Sequence, residues 1–321
     1  MSGLPHPVEP PDGYVRDLKG MDAADLLATY IPPRHWAVAG LIPCGLSILA
    51  SPPKTGKSLL CYQIAVAVAI GADLLGHKVE RRHVRYYALE DGPGRSQDRI
   101  LALGIPDPGW LSIRWEAPLL GEDGRLEDEL ESYLTEYPDG VIIIDVLAKV
   151  RPAGGKGNAY DEDYRVLQAL KALCRSYPDA VILLVTHDRK AGSDDYMTRI
   201  TGTRGISGSV DTVLFLDRKR GETVGTIRMS GRDLADDDLT VKLVGTHWEV
   251  ATLGDMMATP TISTTRQRIF DWVTENGPTG PLAIAKGTGL SHDSVKHRVL
   301  DMVTDGQLVK GPGGYSVALE N

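Results

Sequence analysis

The run Leu49-Ala50-Ser51-Pro52-Pro53-Lys54-Thr55-Gly56-Lys57-Ser58 sets a lysine and a hydroxyl at the start of a long apolar helical pattern. A mostly apolar stretch, Leu46 to Ala50, precedes it, and the helical pattern runs from Leu59 to Leu75. Strand, tight loop and helix is the context in which such a run binds phosphate, because loop N–H groups and the helix N-terminus point at the anion. Ser51, Pro52, Pro53, Lys54, Thr55, Gly56, Lys57, Ser58 and Leu59 form the candidate cradle for ATP. Lys57 would reach the β/γ-phosphates and the Ser58 hydroxyl would ligate Mg²⁺. Ser51 stands where a P-loop usually has its first glycine, so it is expected to take a backbone conformation that glycine reaches more easily.

Three other strand ends carry polar groups. Val141-Ile142-Ile143-Ile144-Asp145 is an apolar strand ending in a carboxylate. This is the form of a Walker B motif, whose Asp holds Mg²⁺ through water, and a strand-end Asp also caps turns. Tyr86-Tyr87-Ala88-Leu89-Glu90-Asp91 ends in two acids. Glu90 would polarise the attacking water and Asp91 would cap the following helix; the exchanged assignment, with Asp91 as base, stays open. Val185-Thr186-His187-Asp188 ends a further strand, and His187 there either senses the γ-phosphate or is structural.

The elements that must position these groups follow from periodicity. Strands are expected at Leu46–Ala50, Val84–Leu89, Val141–Ile144, Val181–Val185, Thr212–Leu216 and Val224–Arg228. Helices lie between them, from Leu59, around Gln97 and Leu126, and from Tyr160 to Arg175. Alternation of this kind predicts an α/β fold with a mostly parallel central sheet covered on both faces. Residues 1–35 read as an N-terminal leader or arm, 36–252 as the core, 253–263 as a small, polar linker and 264–321 as a separate unit. In that unit three helical patterns precede a hairpin with a glycine-rich tip at Lys310-Gly311-Pro312-Gly313-Gly314, the order of a winged helix.

The P-loop, Leu89-Glu90-Asp91-Gly92 with Arg95 and Arg99, Asp145, His187 and Gly231-Arg232-Asp233 occur in one order. From Trp36 to Val250 the chain resembles the RecA-type core of RepA-like hexameric replicative helicases and the related AAA-type ATPases of plasmids and phages. The resemblance implies Lys57 and Ser58 for nucleotide and metal, Glu90 as catalytic base and Asp145 for Mg²⁺. It implies His187 as a γ-phosphate or DNA-coupled sensor and Arg232 as an arginine finger acting on a neighbouring subunit, hence a homo-oligomeric ring, a hexamer by analogy. Arg228 and Arg232 as surface ion-pair partners of Asp233 and Asp236 to Asp238 is the competing reading.

Two loops would leave the sheet where related rings grip single-stranded DNA: one carries Lys149, Arg151 and Lys156, the other Arg189, Lys190, Arg199 and Arg204. Basic residues among glycines suit mobile contact with backbone phosphates. In the C-terminal unit, Ser291 would cap a recognition-type helix carrying Lys296, His297 and Arg298, with Lys310 on the wing. Residues 264–321 hold six Lys/Arg against six Asp/Glu, which leaves docking to a replication partner protein as a competitor to DNA.

A net charge of −8 excludes a protein that coats nucleic acid by bulk electrostatics. Three cysteines without metal spacing read as reduced thiols of a cytoplasmic protein, and no stretch reads as a membrane span. The chain is expected to be a Mg-ATP-dependent DNA helicase or translocase. The alternatives are a recombination mediator and a regulatory DNA-binding ATPase that does not unwind.

Overall fold

Strands that are apolar at every position require cover on both faces. The computed structural model arranges them so; it describes residues 22–28, 35–105, 107–121, 125–152, 159–188, 209–219, 221–232, 234, 236–252, 255, 264–290, 292–304 and 307–317. The central strands are β3 (Gly45–Ser51), β4 (Val84–Ala88), β5 (Leu111–Arg114), β6 (Val141–Asp145), β7 (Val181–His187) and β8 (Thr212–Asp217). After them come β9 (Val224–Gly231), β10 (Asp237–Val244) and β11 (His247–Val250), and before them a small hairpin of β1 (Trp36–Val38) and β2 (Ile42–Pro43). One 9-stranded sheet runs in the order β11-β10-β9-β8-β3-β7-β6-β4-β5. From β5 to β8 across this order every pairing is parallel. From β8 to β11 the chain returns as an antiparallel meander, so the parallel sheet carries an antiparallel end.

Neighbouring residues of the central strands serve opposite faces. On β6, Val141 and Ile143 join the cluster around α2 (Lys57–Ile70), whereas Ile142 and Ile144 join the cluster under α4 (Arg125–Glu136) and α6 (Ala159–Ser176). Helix α2 lies against the sheet through small residues, with Ala65, Ala67 and Ala69 all buried. It ends at Ile70 because Gly71 turns into the left-handed region, φ 75°, and closes its N–H on Ala67 O. The apolar pattern that continues to Leu75 belongs to a buried turn, where Leu74 and Leu75 are covered without being helical.

The unforeseen strands are the small hairpin β1–β2 and β5, β10 and β11. Strand β10 exposes Asp237 and Asp238, and β5 is only half buried, so neither shows the apolar run of a central strand.

The other helices are α1 (Ala23–Ala28), α3 (Pro93–Ala102), α5 (Leu147–Val150), α7 (Thr264–Asn276), α8 (Pro281–Thr288) and α9 (His292–Thr304). The last three, with the hairpin β12 (Leu308–Gly311) and β13 (Gly314–Val317), close on their own core of Ile269, Val273, Ile284, Val295, Val299 and Met302. Among the described residues no helix is long and apolar enough to cross a membrane.

Ile143 is fully buried at the centre of the sheet. Ile143→Ala should lower the free energy of unfolding by about 2–5 kcal/mol, read as a lower urea midpoint with an unchanged slope. A loss below about 1 kcal/mol would show that this strand is not central.

Candidate active site

Register brings the predicted groups to one edge. Ser51 pairs with His187, Asp145 with Val185 and Ala88 with Asp145, so the carboxyl ends of β3, β7, β6 and β4 lie side by side. In open α/β sheets this is the edge that receives ligands.

Ser51 does not carry the strain expected of it. It ends β3 in extended backbone, fully buried, and its Oγ accepts from Thr55 Oγ1 at 2.9 Å across the mouth of the loop. The left-handed residues are Lys54, φ 65°, and Gly56, φ 97°. A Cβ on Gly56 would approach Trp248 Cζ2 to 3.0 Å, so this glycine is required twice, by dihedral and by space.

Lys57 is 5% exposed, and its ammonium donates to Thr186 O at 2.9 Å and lies 3.0 Å from His187 Nδ1. For Nδ1 to accept, the imidazole proton must sit on Nε2, which is 3.6 Å from Glu90 Oε1. Lys57, His187 and Glu90 thus form a line along the sheet edge. Burial pushes the Lys57 pKa down, against the pull of Asp145 and Glu90.

The two adjacent acids are distinguished by their partners. Asp91 is held by Arg95 at 3.2 Å and by Arg99, and its side chain is 6% exposed. It does not cap α3, whose N-cap is Gly92 without a side-chain bond. Glu90 is 41% exposed and faces the edge.

Asp145 is 2% exposed. Its Oδ2 accepts from the Tyr86 hydroxyl at 2.9 Å, while Oδ1 is buried with no hydrogen-bond partner. Burial raises the Asp145 pKa, and the Ser58 and Tyr86 hydroxyls and the Lys57 cation pull it back only in part. An orphaned carboxylate oxygen beside a serine hydroxyl fits a hard divalent cation. Among the described residues no group of three or more His, Cys, Asp or Glu side chains surrounds a metal position, so such a cation would need phosphate and water to complete its shell.

Arg232 lies elsewhere. Its backbone N–H donates to Asp211 O at 3.0 Å, and the Asp211 carboxylate accepts from Leu46 N at 3.2 Å, at the start of β3. This is the edge opposite the loop that follows Ser51. The Arg232 guanidinium is 62% exposed and 4.0 Å from Asp211 Oδ1, and Asp233 lies outside the described residues. Arg228 does form the expected kind of surface pair, 3.9 Å from Asp238 and 4.0 Å from Asp217.

Of the basic loop residues, Lys149 is exposed at the end of α5 and Arg151 follows it. Lys156, Arg189, Lys190, Arg199 and Arg204 lie outside the described residues, as does Ser291. Lys296 and Arg298 are exposed on α9.

Tyr86, Gln63, Arg218 and Trp248, none of them a candidate by type and spacing, also bond to the loop or to residues around it. Tyr86 lies within an expected strand, and Gln63 interrupts the apolar pattern from Leu59 to Leu75. Gln63 makes a reciprocal amide pair with the Trp248 backbone, at 2.7 and 2.8 Å. Its polarity inside an apolar run was the available signal.

Residues 14–193 match the family described as AAA domain. Among solved structures, the ATPase domain of G40P matches with a TM-score of 0.51 at 12% identity, over 65% of this chain and 85% of that one. A DnaB-like replicative helicase, whose structure was described with its interactions with primase, matches at 0.53 and 12% identity, over 65% of this chain and 59% of that one. The chain therefore spans less than two thirds of that helicase. The RadB recombinase matches at 0.47 and 14% identity, over 65% and 92%. At these identities the first two likenesses are of fold, and the fold is RecA-like, with a mostly parallel sheet and the P-loop after β3.

A raised folded-state pKa at Asp145 means that the folded chain holds this proton more tightly than the unfolded one. Stability is therefore lost as pH rises from the ordinary carboxylate range through the raised value. Asp145→Asn should leave the nucleotide-free protein more stable than wild type at pH 7, with the gap closing toward pH 4, while Mg²⁺-dependent stabilisation by ATP is lost. Thermal melts across pH, with and without Mg-ATP, check this. A variant less stable than wild type at pH 7 would show that the carboxylate charge is already satisfied without a cation.

Proposed function

The chain belongs to the AAA domain family, and from that premise we propose that it is a Mg-ATP-dependent motor acting on single-stranded DNA, a replicative helicase or translocase of RepA-like type. The observation that supports this most is the line of Lys57, His187 and Glu90 along the ligand edge, with Asp145 beside it. In this reading Lys57 exchanges Thr186 O and His187 for the β/γ-phosphates. Ser58 and Asp145 would hold Mg²⁺, which would supply positive charge against the phosphates. Glu90 orients a water for in-line attack and takes its proton as the bond from the γ-phosphorus to the leaving oxygen breaks. His187, between lysine and base, reports whether the γ-phosphate is present.

Arg232 cannot serve the loop of its own chain from the opposite sheet edge. A role as arginine finger therefore requires a neighbouring subunit, which favours a ring with ATP between protomers. Both basic loops continue from strands that carry site residues: α5 with Lys149 follows Asp145 at the end of β6, and Asp188 follows His187 at the end of β7. The C-terminal unit, three helices and a hairpin, is read as a winged helix. A regulatory ATPase is the second reading, favoured by the balance of six basic and six acidic residues over 264–321, which suits a protein partner.

ATPase turnover should rise with single-stranded DNA, and Glu90→Gln should lose about 10²-fold or more while still binding ATP. Turnover indifferent to DNA would overturn the motor reading in favour of the regulatory one. Mixing Arg232→Ala subunits with Lys57→Ala subunits should recover part of the activity each lacks alone. Full activity of Arg232→Ala by itself would remove the finger.

A further inference from the structure

A loop that turns its N–H groups inward to a phosphate turns its carbonyls outward, and these need partners of their own. Three consecutive carbonyls of this loop have them. Arg218 Nε donates to Thr55 O at 2.9 Å and its Nη2 to Lys54 O at 3.2 Å. Trp248 Nε1 donates to Gly56 O at 3.2 Å, a carbonyl that also accepts from Leu60 N at 3.1 Å. Both donors come from the antiparallel end of the sheet: Arg218 directly follows β8, and Trp248 lies in β11.

Each donor is itself held. The remaining Arg218 nitrogen donates to Glu222 O in the β8–β9 turn. Trp248 is 1% exposed, its backbone is paired with Gln63 of α2, and the Arg218 guanidinium lies 5.7 Å from its ring centroid. The carbonyls they hold belong to the strained part of the loop, where Lys54 and Gly56 both have positive φ. A left-handed lysine persists only where its surroundings over-determine it. The guanidinium fork meets two adjacent carbonyls at once, which a lysine ammonium, a point charge on a flexible stem, does not reproduce.

We propose that Arg218 and Trp248 are positioning residues that hold the loop in its anion-binding shape before nucleotide arrives, so that the antiparallel end of the sheet sets nucleotide affinity. The inference rests on the nucleotide reading of the loop. A loop fixed in its bound shape has less ordering left to do on binding, so the clamp acts on affinity and not on the reacting atoms.

Titration of the full-length protein with Mg²⁺ and a non-hydrolysable ATP analogue, alongside steady-state ATPase, tests it. Wild type should bind and Lys57→Ala should not. Arg218→Ala should weaken binding and raise KM by about tenfold, Arg218→Lys and Trp248→Phe by about threefold, with kcat at saturation within about twofold of wild type. The Arg218→Ala/Trp248→Phe double variant should lose less than the product of the single effects, because both act on one loop. Melting of each variant without nucleotide separates loop shape from general stability. Unchanged affinity in Arg218→Ala, or a loss fully matched by the fraction unfolded, would overturn the proposal while leaving nucleotide binding intact. No binding by wild type would overturn the nucleotide reading and this proposal with it.

Discussion

A cation and a carboxylate are buried together at the end of an apolar sheet, and neither fully satisfies the other. Lys57 is pushed toward its neutral form by burial and Asp145 toward its protonated form, although each favours the other's charge. Moving both charges out of water costs more than their attraction returns unless further polar partners are present. Thr186 O and His187 supply these for Lys57, whereas Asp145 Oδ1 has none. The site is therefore short of positive charge at Asp145, and an anionic ligand accompanied by a divalent cation relieves both ends at once. The fold, the loop and the flanking strands all serve to hold this pair where solvent cannot.

The sheet makes that burial possible. Because Ile142, Ile143 and Ile144 alternate between two cores, Asp145 is carried by a strand with no freedom to move away. Tyr86, from the adjacent strand, fixes one carboxylate oxygen and leaves the other open. Tyr86 rests edge-on against Tyr62 of α2, at 4.7 Å between centroids, and the Tyr62 hydroxyl bonds Ser96 of α3 at 2.6 Å. Helix α2, the Asp145 carboxylate and the helix after Glu90 are thus joined through two buried tyrosines.

What could be read from the sequence follows from how each feature is encoded. The central strands and the P-loop were legible because a buried parallel strand needs an apolar run and a phosphate loop needs Gly56, Lys57 and Ser58 at fixed offsets. The end of α2 was misplaced because Leu74 and Leu75 are buried in a turn, and burial alone does not distinguish a turn from a helix. Strand β10 was passed over because it opens on two exposed acids, Asp237 and Asp238, and carries no continuous apolar run. Ser51 looked like a strained substitute for glycine, but the left-handed positions are Lys54 and Gly56. Asp91 and Glu90 were separable only by partner: the arginines of α3 lie one and two turns along, and only the folded geometry shows both turned toward Asp91. The clamp was least legible, since Arg218 and Trp248 lie far from the loop in sequence and neither sits in a motif.

The arrangement divides the loop's surroundings into two halves with different work. On one side, β6 and β7 end in Asp145 and His187 and continue straight into the segments that carry the proposed DNA-contacting residues. A change at the phosphates therefore has a short covalent path outward. On the other side, the meander holds the loop's back through Arg218 and Trp248. A loop held rigidly from behind passes a ligand's demand for movement to the side that is free to respond. Motion on nucleotide turnover is thus expected past the ends of β6 and β7, beginning at α5, with the antiparallel end acting as the fixed support.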